Sequence, residues 1–245
     1  MLAPLHQFEI HRYISGSLGG WDVSFTNSSL FMVLTTAALC FLLYWSTKEE
    51  KLVPSLKQSA CESLFEMVSG VITEQVGREE RKHSPYIFTL FLFILGANLL
   101  GLLPYGFTVT SHIIVTFALA CLVSLGMIVI GLLRHGWKFF RIFYPPDVPA
   151  FIVPLLVPVE IISFFTKPVS LSVRLFANMV AGHIMLKIVA GAAVFCAAHS
   201  LLPLTVFPLG VNVLVLTFEL FVAILQAYVF TILSCIYLKS VIHME

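Results

Sequence analysis

Val169-Ser-Leu-Ser-Val-Arg174-Leu-Phe-Ala-Asn178-Met-Val-Ala-Gly-His183-Ile-Met-Leu-Lys187-Ile-Val-Ala-Gly191 opens an apolar run that continues to His199. The run is greasy enough for a bilayer, yet it holds an arginine, an asparagine, a histidine and a lysine. An arginine at the centre of a membrane helix costs at least ~2.5–3.5 kcal/mol, so such a charge marks a functional site by default. Unlike lysine, arginine cannot shed its proton to escape that cost. Two bland alternatives exist for Arg174: it snorkels to the headgroups, or it neutralises an acid of its own chain. Its depth within the run argues against snorkelling. The small residues around it invite another helix to come close.

The rest of the chain has the same character. Of 245 residues, 59% are hydrophobic and 11% charged, against roughly one quarter charged in soluble domains, which makes this a polytopic membrane protein. A net charge of +1 gives no electrostatic case for nucleic acid. Cys40, Cys61, Cys121, Cys196 and Cys235 are scattered, odd in number and without C-x-x-C spacing. They read as buried small hydrophobes, with neither disulfide, metal nor cofactor implied. The N-terminus lacks the basic-then-apolar order of a cleavable signal peptide, so the first span is expected to act as an uncleaved insertion signal.

Working outward, the expected organisation is one integral membrane domain over residues 1–245. Residues 1–27 form a mixed leader on the membrane surface, and 28–47 a first span. Residues 54–82 form an amphipathic helix. Pro54 and Ser55 with Gln58 give it a capping box, and Leu52, Leu56, Ala60, Leu64, Val68, Ile72 and Val76 recur every fourth position. Such a helix lies in the interface or against a partner. Residues 85–133 hold two spans, one with Asn98 inside it and Pro104 closing it. The 46–85 loop carries Lys48, Lys51, Lys57, Arg78, Arg81 and Lys82, the 134–147 loop Arg134, Lys138 and Arg141, and the 104–111 loop no charge. Both basic loops therefore belong inside and the N-terminus outside.

Beyond Pro145 and Pro146 an apolar stretch runs from 148 to 199, punctuated by Pro149, Pro154, Pro158 and Pro168. As one straight helix it would be ~75 Å long, against a ~30 Å hydrocarbon core. The proline-rich half is expected to break, fold back or lie flat. Residues 169–199 and 209–238 would each make a rod of ~45 Å, tilted about 50° to fit. The expected fold is therefore all-α, with about five membrane-crossing helices, one interfacial amphipathic helix and a steeply tilted C-terminal hairpin turning near 200–208.

The last segment has its own intramembrane polar residues, Glu219 and Gln226, which fall within about 20° of each other on a helix. In an antiparallel hairpin, pairing Arg174 with Gln226 puts the turn at residue 200, and pairing His183 with Glu219 puts it at 201. One register thus predicts both pairs. Ser170, Asn178 and Ala181 lie within about 40° of Arg174, whereas His183 is rotated about 180° from it. The arginine addresses one surface and a titratable histidine another. That arrangement suits protons moving along a polar path whose exit a fixed cation guards. Glu160 precedes Lys167 by seven residues, so an internal ion pair is its plain alternative.

The run from Arg174 to His183, preceded by Lys167-Pro168-Val-Ser-Leu171, resembles subunit a of F-type ATP synthases, the membrane stator that meets the rotating c-ring. Ser24 to Phe31, Asn98 to Pro104, Tyr105 to His112 and Leu225-Gln226-Ala-Tyr228 carry the same resemblance, which covers essentially the whole chain. It implies a non-catalytic proton-channel component forming two aqueous half-channels. Arg174 would face the c-ring carboxylates, with Gln226 and Asn178 as its polar neighbours. His183, Glu219 and Glu160 would line the channels as proton-relay groups. The order of His183 and Glu219 resembles the mitochondrial and alphaproteobacterial branch, and an inner, energy-coupling membrane follows from it. The implied partners are the c-ring, b-type peripheral-stalk subunits, the lipid bilayer and protons as the transported ion. Two rivals stand beside it. A haem-binding anchor needs paired histidines at one depth, and a stand-alone secondary transporter needs an inverted repeat; neither pattern is visible.

Overall fold

The structure is a computed structural model that describes residues 12–14, 17–18, 21–22, 24–48, 54–103, 106, 108–137, 139, 153–199 and 202–242. Four short strands come first: β1 (Arg12–Ile14), β2 (Ser17–Leu18), β3 (Trp21–Asp22) and β4 (Phe25–Thr26). β1 pairs antiparallel with β4, and β2 with β3, so the described part of the leader is strand and not helix. Six helices follow: α1 (Asn27–Thr47), α2 (Leu56–Gln75), α3 (Ser84–Gly101), α4 (Ile113–His135), α5 (Val153–Ala198) and α6 (Leu202–Ile242). All but α2 are long and apolar enough to cross a membrane, five in total. The chain is an all-α polytopic membrane protein.

Differences from the expected boundaries have local causes. The amphipathic helix expected to reach residue 82 ends at Gln75. Gly77 adopts φ +119°, open to glycine but strained for other residues, and Arg78–His83 wind into a 3-10 helix instead. At the other end Ser55 caps α2, its side chain accepting from the Gln58 amide, while the Gln58 side chain donates to Glu62. Among its described residues the apolar stripe is buried at Val68, Ile72 and Val76; Leu56 and Ala60 are exposed.

The proline-rich half was expected to break, fold back or lie flat; its described part, from Val153 on, runs without a break into the second half. α5 is helical without interruption over 46 residues, with Pro158 and Pro168 inside it. α6 likewise contains Pro208 and begins at Leu202, where a connection to residue 208 was expected. Each proline removes one N–H and crowds the preceding turn. In bilayers such prolines are tolerated because neighbouring groups satisfy the freed carbonyls. The tight turn predicted near 200–201 falls between α5 and α6, outside the described residues, as do 1–11 and 140–152. The cysteines also differ from expectation. Cys235 is buried, but Cys40 is exposed and the other three are half-exposed; where lipid is the solvent, a thiol has no need of a protein core.

The chain packs as two compact units. The first takes Met1–Trp45, Leu92–His112 and Leu175–Ala227; the second takes Ser46–Phe91, Ile113–Arg174 and Tyr228–Glu245. In the second unit Thr116 shares a hydrogen bond of 3.1 Å with Ser172, joining α4 to α5. His135 Nε2 meets the Ile242 carbonyl at 3.1 Å, tying the end of α4 to the end of α6. Gly131 lets these helices close: a Cβ there would lie 2.5 Å from Val241 and 2.6 Å from Phe139.

Overpacking that contact costs roughly 1–3 kcal/mol, so Gly131→Ala should lower the detergent-solubilised melting temperature and the yield. Gly70→Ala, where a Cβ meets nothing within 4 Å, should do neither. Equal behaviour of the two would show that the α4–α6 contact does not limit stability.

Candidate functional site

In the first unit, α3, α5, α6 and the 3-10 turn Val109–Ser111 converge on two polar pairs, one buried and one part-buried. His183 (6% exposed) and Glu219 (5%) approach to 3.7 Å between Nε2 and Oε1. That is too long for a direct hydrogen bond and short enough for a small movement or one water to join them. Asn178 Nδ2 donates to Gln226 Oε1 at 3.0 Å. The two pairs lie along the same two helices, as an antiparallel register requires.

The register expectation is met for one pair and corrected for the other. His183 faces Glu219 as the turn position required. Gln226, expected level with Arg174, is instead engaged by Asn178, one helical turn further along α5. A single straight-hairpin sum ignores the inclination of one helix on the other, and a small inclination shifts partners by a turn.

Two residues outside the expected set shape the His183–Glu219 pair. Thr108 Oγ1 lies 2.8 Å from His183 Nε2 and 3.3 Å from the Gly101 carbonyl. The threonine has one proton to give. When it points at Gly101, Nε2 must be the donor; when Nε2 is bare, the hydroxyl turns to it. Thr108 therefore serves either tautomer of His183. Its backbone is fixed in turn, because Ser111 Oγ donates to the Thr108 carbonyl at 2.6 Å. Gly182 supplies the room for the acid, since a Cβ there would sit 2.6 Å from Glu219 Oε1. Both carboxyl oxygens of Glu219 are buried without a hydrogen-bond donor among the described residues. Nothing there holds the carboxyl by direct hydrogen bonding.

Asn98 (0% exposed) anchors this stretch of α6, its Nδ2 donating to the Ala223 carbonyl at 3.3 Å. A cavity of about 680 Å³ opens beside His183, with Lys187, Asn212 and otherwise mainly leucine side chains on its walls. Thr108 escaped the sequence reading because it sits in an uncharged, aperiodic loop. Only the folding of that loop onto α5 gives it a partner.

The second unit holds the remaining candidates apart from this cluster. Arg174 is exposed near the middle of α5 and makes no ion pair or hydrogen bond among the described residues. Ser170 beside it is also exposed, as are Ala177, Asn178 and Ala181 in the first unit. Glu160 is half-exposed and its plain alternative fails: Lys167 Nζ stands over the Tyr237 ring, 5.4 Å from its centroid, with no ion pair to Glu160 among the described residues.

The comparisons decide what kind of protein carries this geometry. The profile of a family described as ATP synthase A chain matches residues 29–239. The chain belongs to the ATP synthase A chain family. Among its relatives, the ATP synthase subunit a of Rhodospirillum rubrum is 49% identical over 246 residues, covering 100% of both chains. That of Chelativorans sp. (strain BNC1) is 49% identical over 242 residues, covering 98% of this chain and 97% of the relative. That of Paramagnetospirillum magneticum is 46% identical over 248 residues, covering both chains fully. As an ATP synthase A chain the protein has the proton-translocating role of subunit a, and the haem-anchor and transporter alternatives have no support.

Within that role, Gly182→Ala should push the Glu219 carboxyl away from His183 and cut ATP-driven proton pumping severalfold at unchanged complex yield. Normal pumping at normal yield would show that the carboxyl can retreat without consequence.

Proposed function

We propose that this ATP synthase A chain is the stationary, non-catalytic half of a rotary proton path, working beside a c-ring in an inner, energy-coupling membrane and held by b-type stalk subunits. One observation carries the reading: Arg174 is an unpaired, exposed guanidinium midway along a hydrophobic helix. Neither bland alternative accounts for it. Its own chain offers it no acid among the described residues, and a position near the middle of a 46-residue helix is far from either end. The counter-charge must then come from outside the chain. The exposed small side chains flanking Arg174 on α5 leave room for a partner helix at close range.

The mechanism follows from what each group can do with a proton. A rotor carboxylic acid nearing Arg174 gives up its proton to water in one half-channel, because a neighbouring guanidinium favours the anion. Arg174 keeps its own protons throughout, so it stabilises the anion without carrying charge across. The anion moves past and is reprotonated from the other half-channel, and only the neutral acid returns to lipid. His183 and Glu219 are the relay that feeds this second step. The cavity admits a proton to His183, Thr108 turns with its tautomer, and Glu219 passes the proton inward. Asn178 and Gln226 set the polar edge of the rotor-facing surface, and Glu160 belongs to the separate half-channel. The loop rule that placed the 104–111 segment outside puts the His183 cavity on the outer side. Each 100 mV supplies ~2.3 kcal/mol per charge moved, which is why several protons must pass for each nucleotide made.

Vesicles carrying Arg174→Ala should lose ATP-driven acidification. Arg174→Lys should recover little of it, because lysine can discharge in low dielectric. Normal acidification by Arg174→Ala would overturn the proposal. For the relay, His183→Ala should lower flux by roughly 10²-fold, the scale of a lost proton-transfer group, with a much smaller effect on assembly.

A further inference from the structure

The cavity beside His183 carries a charge that proton entry does not itself require. Lys187 stands one helical turn beyond His183 on α5, and both line the cavity with Ala190, Asn212 and Leu216. An ammonium on a mostly apolar wall is costly to keep and repels any cation on its way in.

What it protects is visible next to it. His183 lies 3.7 Å from Glu219, whose carboxyl oxygens have no hydrogen-bond donor among the described residues. An imidazole beside an unheld carboxyl, reached through an open cavity, is half of a transition-metal site, since zinc takes both ligand types readily. A divalent ion caught there would occupy the two groups a proton needs. Among the described residues no third histidine, cysteine or acid completes the set, so occupancy would be weak and governed by the local field.

We infer that Lys187 is the specificity-determining residue of this entry: its ammonium keeps metal cations from His183 and Glu219 while protons pass. The inference rests on the relay reading given above. Discrimination comes from how the two cargoes travel. A proton hops along hydrogen-bonded water and ends in a covalent N–H or O–H bond, whose strength outweighs the repulsion. A metal ion carries its whole charge past the ammonium and must exchange hydration for only two side chains. At the ~5–6 Å spacing of one helical turn, a single positive charge lowers the occupancy of a divalent ion about tenfold even at the dielectric constant of water.

The test uses the whole ATP synthase in vesicles with its catalytic sector outward and zinc chloride sealed in the lumen. ATP synthesis is driven by an acid–base jump and normalised to each variant's zinc-free rate; detergent-released ATP hydrolysis checks the catalytic sector. Lys187→Gln should reduce the half-inhibitory zinc concentration about tenfold, and Lys187→Arg should match the native protein. Lys187→Leu, which removes the charge without adding a metal ligand, should sensitise like Lys187→Gln. If Lys187→Gln does not assemble, Lys187→Leu decides. Native zinc tolerance in the assembled variants, or a Lys187→Arg protein as sensitive as Lys187→Gln, would overturn the inference. Failure of the relay reading shows separately, as zinc-free synthesis by His183→Ala at the native rate.

Discussion

A permanent cation in hydrocarbon, with no acid beside it among the described residues, is the constraint around which this protein is arranged. Arg174 can neither lose its charge nor reach water from the middle of α5 without help. A charge of that kind is costly to hold in a membrane and calls for a counter-charge. Exposure of the guanidinium, and of the small side chains along α5 on either side of it, therefore follows from one electrostatic requirement.

His183 and Glu219 differ from Arg174 in kind. A guanidinium keeps its protons, whereas an imidazole and a carboxyl can each gain or lose one. His183 and Glu219 are buried and close, and only the Glu219 oxygens have no hydrogen-bond partner among the described residues. Thr108 supports both tautomers of the ring, and Gly182 gives the carboxyl its space. Nine positions separate Arg174 from His183 on α5, so the fixed and the titratable groups look to opposite sides of one helix.

Length and continuity of α5 and α6 serve that separation. Helices of 46 and 41 residues are far longer than a bilayer needs, and Pro158, Pro168 and Pro208 do not stop them. Proline is a strong stop signal in water because an exposed end is readily solvated there. In lipid, breaking a helix would expose polar backbone to hydrocarbon, which costs more than the one hydrogen bond a proline removes.

The sequence by itself determined what composition and helical period can encode: a polytopic all-α membrane protein, the position of the intramembrane charge, the rotation of Arg174 away from His183, and the facing of His183 and Glu219 across a turn near residue 200. Those are one-dimensional properties, since side-chain angles on a helix follow from residue numbers alone. Tertiary structure alone decided that Asn178 and not Arg174 holds Gln226, that Thr108 reaches His183, that Gly182 makes way for Glu219, and that Lys187 shares a cavity with the relay. Each depends on how one helix leans on another or how an aperiodic loop folds back. No count along the chain carries that angle, because it is set by the packing of side chains distant in sequence.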